Sequence, residues 1–319
     1  MPFPRPKYSV CATLFNNANR LEETLNRLMK ALKGKNFEIV VVDSYSTDGS
    51  FEILKKYAQK YGVIKILREK CSRGRGRQIA FEHAKGEIII FVDMDTWYKP
   101  NKLSKLLKGW ERSEYKHLAL ITLSPLWICP RSIVREIGGW KDFNAADDID
   151  FMTRIYIHNK GIFCPISLGL NEPVKEQQIS FLGVKITLFG RERRYSKSLF
   201  SFIRRKWKDT IDSYNACDYT FRKLILKHRY FGANFIATFL YASLLVFSKI
   251  LTFCLKKPVS RADENLPNNY WVNYQMIKSM VDPKVFGLKR ERDPFSIWKK
   301  EDLLFISQFY PEILSRKKK

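Results

Sequence analysis

A short apolar run that ends in two carboxylates constrains this chain more than any other feature. Residues 88–92 read Ile-Ile-Ile-Phe-Val, and Asp93-Met94-Asp95 follow directly. A run rich in β-branched and aromatic residues predicts a buried parallel strand. Because side chains alternate along a strand, we expect Asp93 and Asp95 to point the same way.

Two ionised carboxylates at the end of an apolar strand repel each other and lose hydration. A divalent cation bound between Asp93 and Asp95 would compensate that cost, since carboxylate oxygens are ligands that Mg²⁺ and Mn²⁺ accept. The same pair can instead cap the next turn and face water. Taken alone, the pair leaves both interpretations open.

The charge balance of the chain favours an anionic partner. Its 319 residues include 57 Lys and Arg against 32 Asp and Glu, a formal net charge of +25. This excess suits nucleic acid, phosphorylated small molecules or an anionic membrane surface, and does not choose among them. Apolar residues make up 45% of the chain, which excludes wholesale disorder. Six scattered cysteines and no apolar leader at the N-terminus favour a reducing, cytoplasmic location.

Strands and helices are expected to alternate through the first half of the chain. Apolar runs predict strands at 8–15, 37–42, 63–67 and 87–92, and apolar spacing predicts helices at 20–33, 51–61, 77–85, 131–137 and 147–159. Such alternation is typical of a parallel α/β sheet, whose ligands bind at the carboxyl ends of the strands. Asp43, Asp93 and Asp95 fall at such ends. The glycine-rich basic segment 72–77 is expected to be a flexible loop.

Four sequence segments occur in a recognisable order. They are ATLFNN after the first strand, VVDSYSTDGS after the second, RGRGRQIAFEHAKGEIIIFVDMD, and GGWKDFNAADDIDFMTR. This order and spacing resembles the family 2 glycosyltransferases over residues 8–160. The resemblance implies the GT-A fold, a Rossmann-like, mostly parallel sheet flanked by helices. We expect this domain to cover residues 1–215, followed by a mainly helical C-terminal region, residues 216–319.

The resemblance also implies an activity, an inverting transfer of a sugar from a UDP- or GDP-type nucleotide sugar to a lipid-linked or glycan hydroxyl. In this reading Asp43 accepts the N–H of the base, and Asp148 is the general base. Asp95 holds Mg²⁺ or Mn²⁺ directly, with Asp93 as a second ligand or a contact to the donor sugar or ribose. The other implied donor contacts are Thr13, Phe15, Ser44 and Arg77, and the implied diphosphate or acceptor loop contains Asp147, Arg191, Arg193, Arg194 and Tyr195.

Some residues depart from the family pattern. Ser44 stands where many members carry a second Asp, so its ribose or metal contact is open. Asp147 stands where a Glu of a Glu-Asp pair is commoner. The sequence therefore leaves open which of Asp147 and Asp148 has which role. Arg77 matches the Arg of the family's Ala-Arg-Asn element, and either contacts phosphate or packs over the sheet edge.

Two later segments leave further alternatives open. Residues 185–208 combine basic and aromatic side chains, which suits a mobile lid, a lipid-facing surface or nucleic-acid binding. Residues 230–255 carry a single charge, Lys249, and are long enough to span a membrane, lie on its inner face or form a buried helix pair. The alternative functions are nucleic-acid binding and nucleotidyl transfer. The acidic strand ends argue against nucleic acid, which we do not expect as a partner.

Overall fold

The computed structural model describes residues 5–170, 177–181, 184–188, 212 and 275–289. Its strands are β1 (Tyr8–Leu14), β2 (Phe37–Asp43), β3 (Ile64–Arg68), β4 (Ile88–Val92), β5 (Trp97–Tyr98), β6 (Ala119–Thr122), β7 (Leu126–Pro130), β8 (Gly161–Cys164), β9 (Gly169–Leu170), β10 (Gln177–Phe181) and β11 (Val184–Leu188). Its α-helices are α1 (Ala18–Leu32), α2 (Ser50–Tyr61), α3 (Arg73–His83), α4 (Pro100–Arg112), α5 (Arg131–Glu136) and α6 (Asp147–Ile157). Short 3-10 helices lie at Glu114–His117 and Pro283–Phe286.

Seven strands form one sheet in the order β3-β2-β1-β4-β7-β6-β8. The four strands β3, β2, β1 and β4 are parallel to one another. Strand β7 is antiparallel to both of its neighbours, and β8 is parallel to β6. Two-stranded sheets pair β5 with β9 and β10 with β11. The predicted α/β class, with a mostly parallel sheet flanked by helices, is confirmed.

Helices cover both faces of the sheet because successive strand residues are apolar on both sides. Val10 and Val41 face a core that contains the buried side chains of α1, α2 and α4. Their neighbours in the strands, Cys11 after Val10 and Val40 before Val41, face a second core with α3, α5 and α6 on the opposite side of the sheet. A parallel sheet buried in this way reads as continuous apolar runs, which is why the strands were visible in the sequence.

Helix α3 begins earlier than the sequence predicted. Ser72 is its N-cap and accepts the N–H of Arg75 at 3.1 Å. Gly76 lies against β1, where a Cβ atom would come within 2.3 Å of Thr13 Cγ2. The expected flexible loop at 72–77 was therefore wrong, because a cap and two buried glycines allow this segment to pack closely as a helix.

The chain divides into two compact units. The first contains residues 1–142, 151–171 and 270–319, and the second contains residues 143–150 and 172–269. The seven-stranded sheet belongs to the first unit. In the second, Asn144 N–H donates to Asp212 Oδ2 at 2.8 Å, and β10 and β11 form an antiparallel hairpin. The predicted boundary at residue 215 stays a prediction.

The predicted C-terminal helical region lies largely outside the described residues, and so does the apolar segment 230–255. Of the C-terminal region, residues 275–289 are described, and Phe286 and Leu288 pack into the core with α4. Among the helices that are described, none combines the length and the hydropathy that a membrane span requires.

Candidate active site

The sheet order brings two acidic strand ends to one edge. Strand β1 lies between β2 and β4, and all three are parallel. Asp43, the last residue of β2, is level with Leu14 of β1, while Phe91 of β4 is level with Cys11. Asp93 therefore follows on the other side of β1 at nearly the same level. Two strand spacings of 4.7–4.9 Å separate these backbones by roughly 10 Å.

Asp43 is fully buried and its charge is compensated. The N–H of Ser46 lies 3.1 and 3.3 Å from the two carboxylate oxygens. Arg68, which is level with Asp43 on β3, places its Nε 3.1 Å from Asp43 Oδ2. The guanidinium of Arg68 lies over the rings of Tyr45 and Phe51, at 4.7 and 4.0 Å from their centroids. A base that reaches Asp43 would meet a carboxylate already held by two donors.

The predicted donor contacts Thr13, Phe15 and Ser44 lie at this edge of the sheet. Thr13 is on β1 and Phe15 follows it, and both side chains are half-buried. The hydroxyl of Ser44 lies 3.2 Å from both the carbonyl oxygen and the N–H of Cys71. Ser44 thereby ties the loop after β2 to the segment that precedes α3. The contact of these residues with a nucleotide stays a prediction.

Asp93 and Asp95 lie in a turn and not on a strand. Strand β4 ends at Val92, and Thr96 N–H donates to Asp93 O across the turn. The strand alternation from which a common orientation was predicted therefore does not extend to Asp93 and Asp95, and their common orientation stays a prediction. The buried hydroxyl of Tyr98 accepts the Asp93 N–H at 3.0 Å and lies 3.0 Å from Pro125 O, which it reaches as a donor. This bridge fixes the backbone at the start of the turn.

The side chain of Asp93 is bound by Arg77. Arg77 Nη2 lies 2.5 Å from Asp93 Oδ1, and the arginine is only 1% exposed. Burial raises the pKa of Asp93, the Arg77 charge opposes that rise, and the Asp95 charge adds to it. The guanidinium also lies 4.6 Å from the ring centroid of Trp140 and 5.3 Å from that of Trp127. Arg77 is thus a buried partner of Asp93, and its predicted phosphate contact stays a prediction.

Several of these contacts were not identified from the sequence. Trp140, whose ring lies beside the Arg77 guanidinium, stacks on Phe151 with ring centroids 4.1 Å apart, and the backbone N–H of Trp140 donates to Gln78 Oε1 at 2.7 Å. Tyr98 was also missed, as was Arg20, whose Nη1 donates to the carbonyl of Asp95 at 3.0 Å. Trp140 belongs to the segment GGWKDFNAADDIDFMTR, directly after Gly138 and Gly139. Its place in that segment was the one sequence feature that linked it to the site.

The donor set fits a hard divalent cation. The described part of the chain contains no group of three or more His, Cys, Asp or Glu side chains arranged to hold a metal. Mg²⁺ commonly takes one or two protein carboxylates and fills its other positions with water and phosphate oxygens. Asp95 is half-buried, and Asp93 precedes it with one oxygen bound to Arg77. Of the two, Asp95 suits the direct ligand.

The predicted general base lies on the first turn of helix α6, whose first four residues are assigned to the second unit and the remainder to the first. Helix α6 begins at Asp147, and its first turn contains Asp147, Asp148 and Asp150, where the helix dipole favours negative charge. Asp147 is buried and Asp148 is half-buried, with Asp148 Oδ1 accepting the N–H of Ile149 at 3.0 Å. The roles of Asp147 and Asp148 stay predictions. Arg191, Arg193, Arg194 and Tyr195 lie outside the described residues.

Comparison with known proteins finds a family match over part of the chain. Residues 9–123 match the model of glycosyl transferase family 2. Dolichol-phosphate mannosyltransferase of Pyrococcus furiosus is 34% identical over 105 residues, which are 32% of this chain and 30% of that protein. Poly(ribitol-phosphate) beta-glucosyltransferase of Bacillus spizizenii is 31% identical over 180 residues, 55% of this chain and 27% of that protein. The chain thus spans less than a third of the length of each of these relatives.

A similar solved structure is the mannosyltransferase PcManGT from Pyrobaculum calidifontis in complex with GDP-Man and Mn²⁺. It is 17% identical, with a TM-score of 0.48, over 86% of this chain and 85% of that one. The family match includes β1 to β4 and the described donor and metal candidates of the first unit, namely Thr13, Phe15, Asp43, Ser44, Arg77, Asp93 and Asp95. The resemblance to family 2 glycosyltransferases seen in the sequence is confirmed over residues 9–123, which match the model of that family.

Proposed function

We propose that the chain is a metal-dependent glycosyltransferase that moves a sugar from a UDP- or GDP-type nucleotide sugar to a hydroxyl acceptor. The observation that carries this proposal is that the family match coincides with the sheet edge where Asp43 and the Asp93–Asp95 turn meet. The displacement is a single step at the anomeric carbon, with inversion. The leaving group is the nucleoside diphosphate.

The donor site is assigned to residues at the carboxyl ends of β1, β2 and β4. Asp43 receives the N–H of the nucleobase, and Thr13, Phe15 and Ser44 line the approach to it. Asp95, with Asp93 beside it, would hold Mg²⁺ or Mn²⁺, and such an ion would supply the positive charge that a diphosphate leaving group requires. The Arg77 guanidinium opposes the rise in the pKa of Asp93 that burial causes, and it fixes one of the Asp93 oxygens.

The role of activating the acceptor is assigned to Asp148. Asp148 takes the proton of the acceptor hydroxyl, and Asp147 with Arg191, Arg193, Arg194 and Tyr195 forms the diphosphate or acceptor loop. The names of the relatives include dolichol phosphate and poly(ribitol phosphate), both of which carry phosphate. A lipid-linked or polymeric acceptor of this kind suits a chain with a net charge of +25. We place the enzyme at the inner face of the cell membrane, with residues 230–255 as the contact.

A donor screen tests the reaction. The protein is incubated with Mn²⁺ and UDP-glucose, UDP-N-acetylglucosamine or GDP-mannose, with polyprenyl phosphate or poly(ribitol phosphate) as the acceptor. We expect release of free nucleoside diphosphate from one donor, stimulated by one acceptor. Release of the sugar 1-phosphate, with transfer of the nucleoside monophosphate, would instead indicate a nucleotidyltransferase. Salt-sensitive RNA binding without any turnover would favour the nucleic-acid alternative.

Two variants test the assigned roles. Asp95→Ala and Asp148→Asn should each abolish transfer while the protein stays folded, because one removes the cation ligand and the other removes the base. The matched control is Glu52→Gln, an exposed carboxylate on the first turn of α2, which should keep full turnover. Circular dichroism checks folding in all three variants. Full turnover in Asp95→Ala or in Asp148→Asn contradicts the role given to that residue.

A further inference from the structure

Helix α1 binds the backbone of the Asp93–Asp95 turn through side chains on one of its faces. Asn17 Nδ2 donates to Met94 O at 2.6 Å, and Arg20 Nη1 donates to Asp95 O at 3.0 Å. The hydroxyl of Thr24 lies 3.3 Å from Thr96 O. Three successive carbonyl groups of the turn therefore face positions 17, 20 and 24, a spacing that places side chains on one side of a helix.

The helix that presents these donors is itself firmly held. Its buried Leu21, Leu25 and Leu28 pack into the core under the sheet. At its start, Asn17 N–H donates to Ser50 Oγ at 2.8 Å and Ala18 N–H donates to Asp48 Oδ2 at 2.9 Å. A donor on such a helix has little freedom to follow a moving turn. The hydrogen bonds therefore constrain the turn more than they constrain the helix.

Arg20 has a close counterpart on the same helix. The guanidinium carbons of Arg20 and Arg27 each lie 5.9 Å from the ring centroid of Trp97. Arg27 Nε donates to Glu23 Oε1 at 2.5 Å, whereas Arg20 Nη1 donates to the carbonyl of Asp95. The two arginines thus share the aromatic contact, and Arg20 also donates to the turn that contains Asp95.

We propose that Arg20, assisted by Asn17, is a positioning residue that fixes Asp95 for a divalent cation, an inference that rests on the proposed function. Fixing the carbonyl of Asp95 restricts its ψ angle, and the Asn17 bond to the preceding carbonyl restricts the peptide on its other side. The direction of the Asp95 Cα–Cβ bond is then set before the cation binds. Less conformational entropy is lost when the carboxylate takes up its ligand position.

The test is direct Mn²⁺ binding, measured by electron paramagnetic resonance with UDP or GDP present. We expect Arg20→Ala to weaken Mn²⁺ binding by roughly 10- to 100-fold, the usual effect of losing a group that supports a metal ligand. Arg20→Lys should recover part of the loss, because its ammonium keeps a charged donor on the same face. Arg27→Ala should bind Mn²⁺ as the wild type does, although it loses the same contact with Trp97.

Melting temperatures show that each variant is folded. If Arg20→Ala does not fold, Arg20→Met, which keeps the aliphatic stem, has the same expected loss. Equal Mn²⁺ affinity in folded Arg20 and Arg27 variants would overturn the inference, and so would wild-type binding no tighter than that of Asp95→Ala. If the arginines differ in Mn²⁺ binding but no donor is turned over, the inference stands and the proposed transfer fails.

Discussion

Two carboxylate–arginine pairs stand on either side of β1, and they are built differently. At the end of β2, the fully buried side chain of Asp43 pairs with Arg68, whose side chain is 38% exposed. At the end of β4, the side chain of Asp93 is 15% exposed and pairs with Arg77, whose side chain is 2% exposed. In the first pair the aspartate is buried and the arginine is partly exposed to water. In the second pair the arginine is the more deeply buried partner.

The difference indicates what each arginine does for its acid. Arg68 comes from the neighbouring strand and lies over Tyr45, which is 51% exposed and has a φ of 56°. Water can take the place of such an arginine at the mouth of the site. Arg77 comes from α3 and lies near two tryptophan rings, where water has no comparable access. A buried charge that loses its partner is costly, whereas a partly solvated pair contributes little.

The largest effect is expected for Arg77→Ala, which leaves the Asp93 carboxylate without its buried partner. We expect a loss of about 3–5 kcal/mol in the free energy of unfolding, measured by chemical denaturation. Without Arg77 the folded-state pKa of Asp93 rises further above its unfolded value. The variant should therefore regain stability relative to the wild type as the pH falls, because protonation removes the buried charge.

The matched control for this change is Arg75→Ala, two residues earlier on α3. Arg75 is 41% exposed, with its nitrogens 4.0 and 3.7 Å from Glu69 and Glu82 oxygens, so its removal should cost less than about 1 kcal/mol. Adding Asp93→Asn to Arg77→Ala should recover part of the lost stability. Similar losses for Arg75→Ala and Arg77→Ala would contradict the importance given to burial.

An intermediate effect is expected for Asp43→Asn, which keeps the shape and removes the charge. An amide nitrogen would face either the Ser46 N–H or Arg68, so one donor would lose its acceptor. We expect a loss of about 1–3 kcal/mol in stability. Calorimetry with UDP and GDP would show weakened nucleotide binding if Asp43 receives the base. Unchanged binding of both nucleotides would remove Asp43 from the donor site.

The sequence predicted the strand ends but not the partners that they acquire. Strands β1 to β4 were found from apolar runs, because the sheet is buried on both faces, and Asp43 and Asp93 follow from where those runs stop. The bond between Arg77 and Asp93 depends on how α3 packs over the sheet, and α3 itself was misplaced because its glycines suggested a loop. Arg20 and Asp95 are far apart in the chain, and no local pattern relates a helix side chain to a distant carbonyl.

The smallest effect is expected for Arg68→Ala. Because Arg68 is partly exposed, water can solvate the oxygen of Asp43 that it leaves, and the loss in stability should stay within about 1 kcal/mol. That loss should shrink further in 1 M NaCl, where exposed charges are screened, whereas the loss for Arg77→Ala should persist. Denaturation of both variants at low and high salt measures this contrast. If Arg68→Ala is as costly as Arg77→Ala at both salt concentrations, then the Ser46 N–H does not suffice to hold Asp43, and the two pairs are energetically alike despite their different exposure.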